Sequence, residues 1–411
     1  MTLNNEQQQA FDMVHKYPVS IICGAPGVGK TFTEKAIVDS FKDKGKNIVL
    51  AAPTGKAAKQ MTMATGFQAS TIHKLLDPKP QTDPVSGKVK FSFDHNKNNP
   101  ISADVLILDE CSMITNSLMS SVLEAVTSKI KLIFVGDKGQ LPSVGAGAVF
   151  RDMLDSGAIP KTELTEIQRN SGDIVKACHQ ILKGKFYEPS TELKPEEGLN
   201  LKHVECSSTL LIQNIIKTIV CDRMPNRGFD PVWDVQVLSP TNSRTDLSCE
   251  DLNKVLQDQL NPNPAIDGTV FRIGSKVIQI KNENIKSPTG EGEYVVNGDM
   301  GRVLDIDGNN MIVRFDYPKR VCVVPLKKNH LLLAYAITTH RAQGSEFPVV
   351  VVPVHSAFGF FVDRPWLYTA ISRGKQIVVT VGEFQAILAA TTKNNSGNRI
   401  TKLKSLLQNE N

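Results

Sequence analysis

The chain has 411 residues, of which 41% are hydrophobic and 22% charged, with a formal net charge of +5. It is long enough to bury several cores and ordinary enough in composition to exclude a disordered or fibrous protein, and no apolar run approaches the roughly 18 residues that span a bilayer. The mild positive balance permits a polyanionic partner without requiring one.

Seven cysteines stand at 23, 111, 178, 206, 221, 249 and 322, with no CxxC pair and no histidine at zinc spacing. That pattern excludes a disulfide framework or a zinc site and reads as reduced thiols. The N-terminus, MTLNNEQQQAFD, has no apolar signal block. A soluble, cytoplasmic protein is expected.

Along the chain, the first 180 residues alternate short apolar runs with helix-like stretches. VSIICG (19–24) is a strand running into GAPGVGKT, and a helix is expected from Lys30 to about Lys44, closed by Gly45. NIVLAAPT (47–54), DVLILDE (104–110) and KLIFVGD (131–137) are further strands, each ending in polar residues. Near-continuous apolar strands with helices between them indicate a parallel sheet covered on both faces. Ligands of such sheets gather at the C-terminal ends of the strands. Between 77 and 100, DPKPQTDPVSGKVKFSFDHNKNNP breaks the pattern. The alternation in VKFSF reads as a small inserted β-hairpin, with a surface loop as the alternative.

A second set of parallel-type strands follows: DVQVLSPTN (234–242), VVVVPV (349–354) and QIVVTVG (376–382). Within it, over about 266–330, FRIGSKVIQIKN, GEYVVNGDMGRVLDI, NMIVRFDY and KRVCVVPL are short alternating strands with Gly, Asn and Asp turns. They read as a small antiparallel barrel. Just before VVVVPV stands TTHRAQGSEF (338–347), ten residues that hold two Thr, a His, an Arg, a Gln, a Gly, a Ser and a Glu between two hydrophobic runs. Beyond about 390 the tail is polar, helical or frayed.

The chemistry begins at GAPGVGKT, which fits G-x-x-x-x-G-K-[ST] between a strand and a helix. Backbone N–H groups of Gly24, Ala25, Pro26, Gly27, Val28 and Gly29, all but the proline's, can close around phosphates at a helix N-terminus. Lys30 would reach the β- and γ-phosphates and Thr31 would hold Mg²⁺, so ATP and Mg²⁺ are the expected cofactors. Asp109 and Glu110 end the strand LILDE, where Asp109 can hold Mg²⁺ and Glu110 can orient and deprotonate water. Gln140, in GDKGQ, would lie beside the γ-phosphate. Arg169, in ELTEIQRN, and Arg373, in YTAISRGK, are either surface ion-pair residues or γ-phosphate contacts.

Taken together, these blocks resemble superfamily 1 DNA helicases, specifically the 5′→3′ branch (superfamily 1B) of RecD-like and phage Dda-like enzymes, over nearly the whole chain. LNNEQQQAF resembles the adenine-recognising Q motif, with Gln7 at the reading position. GAPGVGKT corresponds to motif I, APTGKAAKQM to motif Ia, ASTIHKLL to motif Ib, LILDECSM to motif II and GDKGQLPSVGAG to motif III. ELTEIQRN carries the arginine of motif IV, and LSPTNSRTDLSCEDLN resembles the next block. TTHRAQGSEF corresponds to motif V and YTAISRGK to motif VI, with Ser-Arg-Gly where Thr-Arg-Ala or Thr-Arg-Gly is more usual.

The resemblance implies two RecA-like parallel-sheet domains with ATP between them and single-stranded DNA across their tops. Domain 1A would take 1–76 and 101–180, the 1B pin hairpin 77–100, domain 2A 181–265 and 331–395, an SH3-like 2B barrel 266–330, and a C-terminal tail 396–411. The pin turn VSGK has no aromatic; Phe91 and Phe93 lie on one arm. It further implies Arg169 and Arg373 as catalytic arginines beside Lys30, Asp109, Glu110 and Gln140. DNA contacts would come from Thr54, Lys56, Thr71, His73, Asn242, Thr339 and His340. In motif V, Gly344 and Glu346 would approach the nucleotide, Gln343 would stand between the two ligands and Arg341 would brace the loop.

The expected partners are single-stranded DNA, single-strand/duplex junctions and replication or recombination proteins such as a single-strand-binding protein, with the chain a monomer. A translocase that strips proteins from DNA, an RNA helicase and a nucleotide-gated binding module share parts of this pattern.

Overall fold

The computed structural model describes residues 2–82, 89–167, 172–266, 268–316, 319–328, 330–395, 399 and 401–409. The chain divides into two compact units, Met1–Arg169 with Ser396–Asn411, and Asn170–Asn395.

Unit 1 opens with α1 (Asn5–Lys16), whose start is set by a capping box. The Asn4 side chain accepts from the Gln7 N–H while the Gln7 side chain accepts from the Asn4 N–H, pairing two otherwise orphaned donors. Ala10, Met13 and Val14 recur at helical spacing and are buried. Strands β1 (Val19–Gly24), β2 (Ile48–Ala52) and β3 (Ala69–Thr71) follow, with α2 (Lys30–Asp43), α3 (Gly55–Thr65) and the short α4 (Ile72–Leu75) in the connections. After the hairpin strands β4 (Pro78–Thr82) and β5 (Val89–Phe93) come β6 (Val105–Leu108), α5 (Asn116–Glu124), β7 (Lys131–Gly136), α6 (Val149–Ser156) and β8 (Lys161–Leu164).

The six sheet strands lie in the order β3-β2-β6-β7-β1-β8, every pair parallel. All four residues of β6 are buried, as expected for a strand covered on both faces. Ile21, Leu106, Leu108 and Phe134 of the strands meet Phe150 and Met153 of α6 in the core.

The inserted hairpin is present in its arms: β4 and β5 pair antiparallel from Pro78 opposite Phe93 to Thr82 opposite Val89. Phe93 packs against the core of unit 1, near the His73 ring at 6.1 Å. It is therefore a root of the hairpin and not its tip. The VSGK turn and the Phe91 side chain lie outside the described residues.

Unit 2 begins with α7 (Asp173–Leu182), β9 (Leu201–Glu205), α8 (Thr209–Thr218), β10 (Val235–Ser239) and α9 (Cys249–Leu260). Strands β11 (Lys276–Gln279), β12 (Glu283–Lys286), β13 (Gly292–Val295), β14 (Met300–Asp307), β15 (Asn310–Asp316), β16 (Lys319–Pro325) and β17 (Leu331–Leu333) form the inserted module. Its main sheet runs β16-β15-β14-β11-β17, antiparallel, with β12-β13 as a separate hairpin. Burial alternates along β15 and β16, and Val277, Val303, Val313, Phe315 and Val324 fill the interior. Lys276 and Arg302 place their cations 5.7 and 5.6 Å from the Trp233 ring centroid. Lys276 also donates to the Gln236 side chain at 3.1 Å. Those contacts join the module to the strand β10 that follows Trp233.

Then come β18 (Ala336–Thr338), β19 (Phe347–Val354), α10 (Arg364–Ile371), β20 (Gly374–Gly382) and α11 (Phe384–Thr392). The second parallel sheet has the order β18-β10-β19-β20-β9.

Two expected boundaries shift. The division expected after 180 falls near 170, because α7 buries Ile174, Ala177, Cys178 and Ile181 in unit 2, against α10 and β20. The tail, expected as a separate segment, belongs to unit 1, where α12 (Leu403–Asn409) packs on α6. The seven cysteines are free thiols. Among the described residues no helix is long and apolar enough to cross a membrane.

Candidate nucleotide site and nucleic-acid interface

The order of the first sheet brings the C-terminal ends of β6, β7, β1 and β8 side by side, and the expected nucleotide residues of unit 1 hang from that edge. Gly29 caps α2 at φ 84, a left-handed conformation open to glycine at no steric cost. With no side chain over the helix start, the first N–H groups and the helix dipole face an incoming anion. Ala25 and Val28 are buried, while Thr31 is exposed. The Lys30 ammonium donates to the carbonyls of Gly24 at 2.7 Å and Ala25 at 3.1 Å, so it lies along the loop that would take the phosphates. Gln7, 3% exposed, donates from Nε2 to the Val28 carbonyl at 3.4 Å, tying the Q-motif helix to the P-loop.

Asp109 and Glu110 follow β6 directly. Glu110 stands at φ 51, ψ 40, uncommon for a residue with a side chain and often a mark of a functional site. Asp109 accepts the Glu110 N–H at 2.7 Å. Burial, followed by the charge of Glu110, pushes the Asp109 carboxyl up to about 7. Glu34 of α2, 2% exposed, is raised well above its ordinary value, first by burial and then by Asp109, with Lys30 opposing. Sequence reading missed Glu34, although its signal was legible. It is a charge on the buried face that also carries Ile37, Val38 and Phe41.

The Thr31 hydroxyl and Asp109 carboxylate are hard oxygen donors, suited to Mg²⁺. A nearby cation favours the ionised carboxylate and so reverses the upward shift. Among the described residues no cluster of three His, Cys, Asp or Glu side chains could hold a metal.

Gln140 follows β7 and is 7% exposed; its N–H donates to the Asp137 carbonyl at 3.4 Å. The Asp137 carboxylate in turn accepts the Gly139 N–H at 2.9 Å. Arg169 lies outside the described residues. The segment before it is held by Glu6, whose carboxylate accepts from the Thr165 N–H at 2.6 Å, the Thr165 hydroxyl at 2.5 Å and the Glu166 N–H at 2.9 Å.

The expected DNA contacts of unit 1 hang from the other half of the same edge, at β2 and β3. Thr54 and Thr71 are the N-caps of α3 and α4, accepting from the N–H groups of Ala57 and Lys74. Each hydroxyl accepts within the fold and keeps its own proton for a further acceptor. Lys56 is half-buried and His73 exposed.

In unit 2, Asn242 and Thr339 lie at the C-terminal ends of β10 and β18, with His340 exposed beside them. Arg341 donates to the Asn242 side chain at 3.1 Å, the bracing role expected for it. Thr339 departs from expectation. It is 0% exposed, because its N–H continues the sheet by donating to the Ser239 carbonyl, and among the described residues its hydroxyl has no hydrogen-bond partner. In this form it offers no surface to a strand of DNA.

Segment 339–346 then runs back to the N-terminal edge of the same sheet, where Phe347 donates to the Arg373 carbonyl and Val349 pairs with Val235. Gln343 and Gly344 are buried. Glu346 is exposed and pairs with Lys375 at 2.9 Å, a surface contact of small energetic weight. Arg373 is 4% exposed and donates to the carbonyls of Thr369 at 3.2 Å and Ser345 at 3.3 Å. As it stands, the guanidinium links motif VI to motif V; a phosphate would have to draw it from those carbonyls.

Sequence reading named no base-stacking aromatics. Phe360 and Phe361 are stacked at 4.3 Å between centroids, 70% and 39% exposed, after a left-handed Gly359. The run FGFF marks this exposed aromatic pair in the sequence.

A P-loop after β1, an acidic pair after β6 with β7 between them, and a second parallel sheet bearing a helix-end arginine define a P-loop protein of the RecA-like class. Residues 2–197 match the AAA domain, 252–317 the SH3 domain of ATP-dependent RecD-like DNA helicases, and 333–381 the UvrD-like helicase C-terminal domain. The ATP-dependent RecD2 DNA helicase of Deinococcus radiodurans is 32% identical over 93% of this chain and 50% of its own length. RecBCD enzyme subunit RecD of Haemophilus influenzae is 34% identical over 95% of this chain and 71% of its own. The chain belongs to the RecD-like helicase family. It spans about half the length of the Deinococcus relative. The crystal structure of Bacteroides Pif1 bound to ssDNA is 20% identical, with a TM-score of 0.54 over 100% of this chain and 96% of that one, and shows the same fold.

Proposed function

We propose that this chain is an ATP-dependent DNA helicase that translocates 5′→3′ on single-stranded DNA and couples hydrolysis of Mg-ATP to strand separation. The observation that carries the reading is the shared strand edge of unit 1. P-loop, Asp109–Glu110 and Gln140 end three adjacent strands, and the Ia and Ib residues end the next two. One rigid sheet thus presents a nucleotide half and a nucleic-acid half, the arrangement that coupling needs. The names of its relatives, a RecD2 DNA helicase and a RecD subunit, agree with this substrate class.

In hydrolysis, the N–H groups of the P-loop and the Lys30 ammonium hold the phosphates. Glu110 orients the attacking water and takes its proton, and Gln140 contacts the γ-phosphate. Arg373 supplies positive charge as phosphoryl charge spreads. Thr31 and Asp109 would hold Mg²⁺, which neutralises phosphate charge when bound. Thr54, Lys56, Thr71, His73, Asn242 and His340 suit backbone contacts, which position a strand without reading its sequence. Thr339 joins them only in a form that exposes it.

Partial duplexes carrying a single-stranded tail at either the 5′ or the 3′ end test the proposal. ATP-dependent unwinding of the 5′-tailed substrate is expected, with loss of both unwinding and DNA-stimulated hydrolysis in Lys30→Ala. Unwinding only from the 3′ tail would overturn the polarity. Wild-type turnover in Lys30→Ala would overturn the whole assignment.

A further inference from the structure

The chain leaves unit 2 at Asn395 and is fixed in unit 1 four residues later, at Arg399. The Arg399 guanidinium donates from Nη1 to the carbonyls of Gly145 at 2.6 Å and Gly147 at 2.8 Å, and from Nη2 to that of Ser143 at 2.8 Å. Its own carbonyl accepts from Arg151 at 3.1 Å. Beyond it, the Thr401 hydroxyl meets the Asp152 carboxylate, and Leu403 and Leu407 pack on the core of unit 1. The planar fork of an arginine, with its N–H groups on two separate nitrogens, suits three carbonyls held from one side chain in this way.

The gripped segment is the continuation of Gln140. Leu141 and Ser143 are each 2% exposed, so little slack separates Gln140 from the first gripped carbonyl. On its other side the loop lies against the start of α5: the Asn116 N–H donates to the Ala146 carbonyl at 3.3 Å. Gly147 stands at φ +98, where a Cβ would come within 1.9 Å of Asn116 Oδ1. Loop 143–147 is therefore wedged between Arg399 and the chain that continues from Asp109–Glu110.

We propose that Arg399 is a positioning residue for ATP hydrolysis: by fixing loop 143–147, the C-terminal segment sets Gln140 for the γ-phosphate. The inference rests on the helicase reading, in which Gln140 serves that phosphate.

The test is steady-state ATP hydrolysis by the full chain, with and without oligo(dT), in Arg399→Ala, Arg399→Lys, Thr401→Val and Lys30→Ala. Arg399→Ala is expected to lower the oligo(dT)-stimulated kcat about tenfold or more, with KM for ATP little changed, since small misplacements of a catalytic group carry such penalties. Arg399→Lys, which keeps the charge and three donors but gathers them on one nitrogen, should recover part of that kcat. Thr401→Val, which loosens the same segment elsewhere, should turn over like the wild type. A wild-type kcat in Arg399→Ala overturns the inference. So does an equal fall of kcat and thermal stability in Arg399→Ala and Thr401→Val, which would make the tail structural alone. If Lys30→Ala turns over normally, the nucleotide reading itself fails; if Lys30→Ala is inactive while Arg399→Ala is normal, only the role of the tail fails.

Discussion

Glu6 shows how a side chain at the molecule's edge can serve a distant motif. Burial acts to raise its carboxyl, but the Thr165 hydroxyl and the N–H groups of Glu166 and Thr165 outweigh that and hold it below the ordinary glutamate range. An acid depressed in the folded state stabilises the fold above its unfolded pKa, and the contribution is lost as pH falls through the folded value. The melting temperature of Glu6→Gln should therefore lie below that of the wild type at neutral pH. The gap should close below about pH 4, near the ordinary glutamate value. A gap independent of pH would show that the carboxylate charge is not what holds segment 165–166. Residues with a chemical signature, such as Lys30, Asp109 and Glu110, were legible because motif and spacing carry the chemistry. Arg399 was not: a lone arginine in NSGNRITK reveals nothing until three carbonyls converge on it. Nor was the burial of Thr339, which depends on sheet register and not on residue type.

At the scale of elements, the strands of both parallel sheets could be read from apolar runs ending in polar residues, because burial on both faces leaves that pattern. The inserted barrel was legible from alternation for the complementary reason, one wet face. What stayed hidden was allegiance. The apolar stripe of α7 says that it packs, but not on which sheet. Leu403 and Leu407, one helical turn apart, say as little for α12. The hairpin carries its own prediction. Phe93 belongs to the core of unit 1, so a variant that removes residues 82–89 and keeps Phe93 should fold. It should keep wild-type DNA-stimulated ATP hydrolysis and lose strand separation in a forked-duplex assay. Unwinding at the wild-type rate would show that β4–β5 does not act on the duplex.

For the whole molecule, the formal net charge of +5 is too small to gather DNA by itself. Affinity for a single strand must come from local contacts at the strand ends. Each phosphate neutralised by a lysine or arginine adds about 0.7 to the slope of log affinity against log salt for single strands. Lys56→Ala should reduce that slope by about 0.7 in a fluorescence titration with oligo(dT), alike for any base composition. An unchanged slope would remove Lys56 from the interface.

The stretch from Thr339 to Glu346 begins level with Ser239, at one end of β10, and ends beyond Val235, at the other. It behaves as a ruler: a span of five strand residues, about 17 Å, covered by eight residues of tightly turned chain whose two ends cannot approach each other. Insertion or loss of a single residue there would have to be absorbed within the buried turn at 342–345 without moving either end. Length, more than identity, is then the property of this stretch that the fold can least vary, whereas the exposed turns of the barrel, such as the one at Gly290, are free to grow.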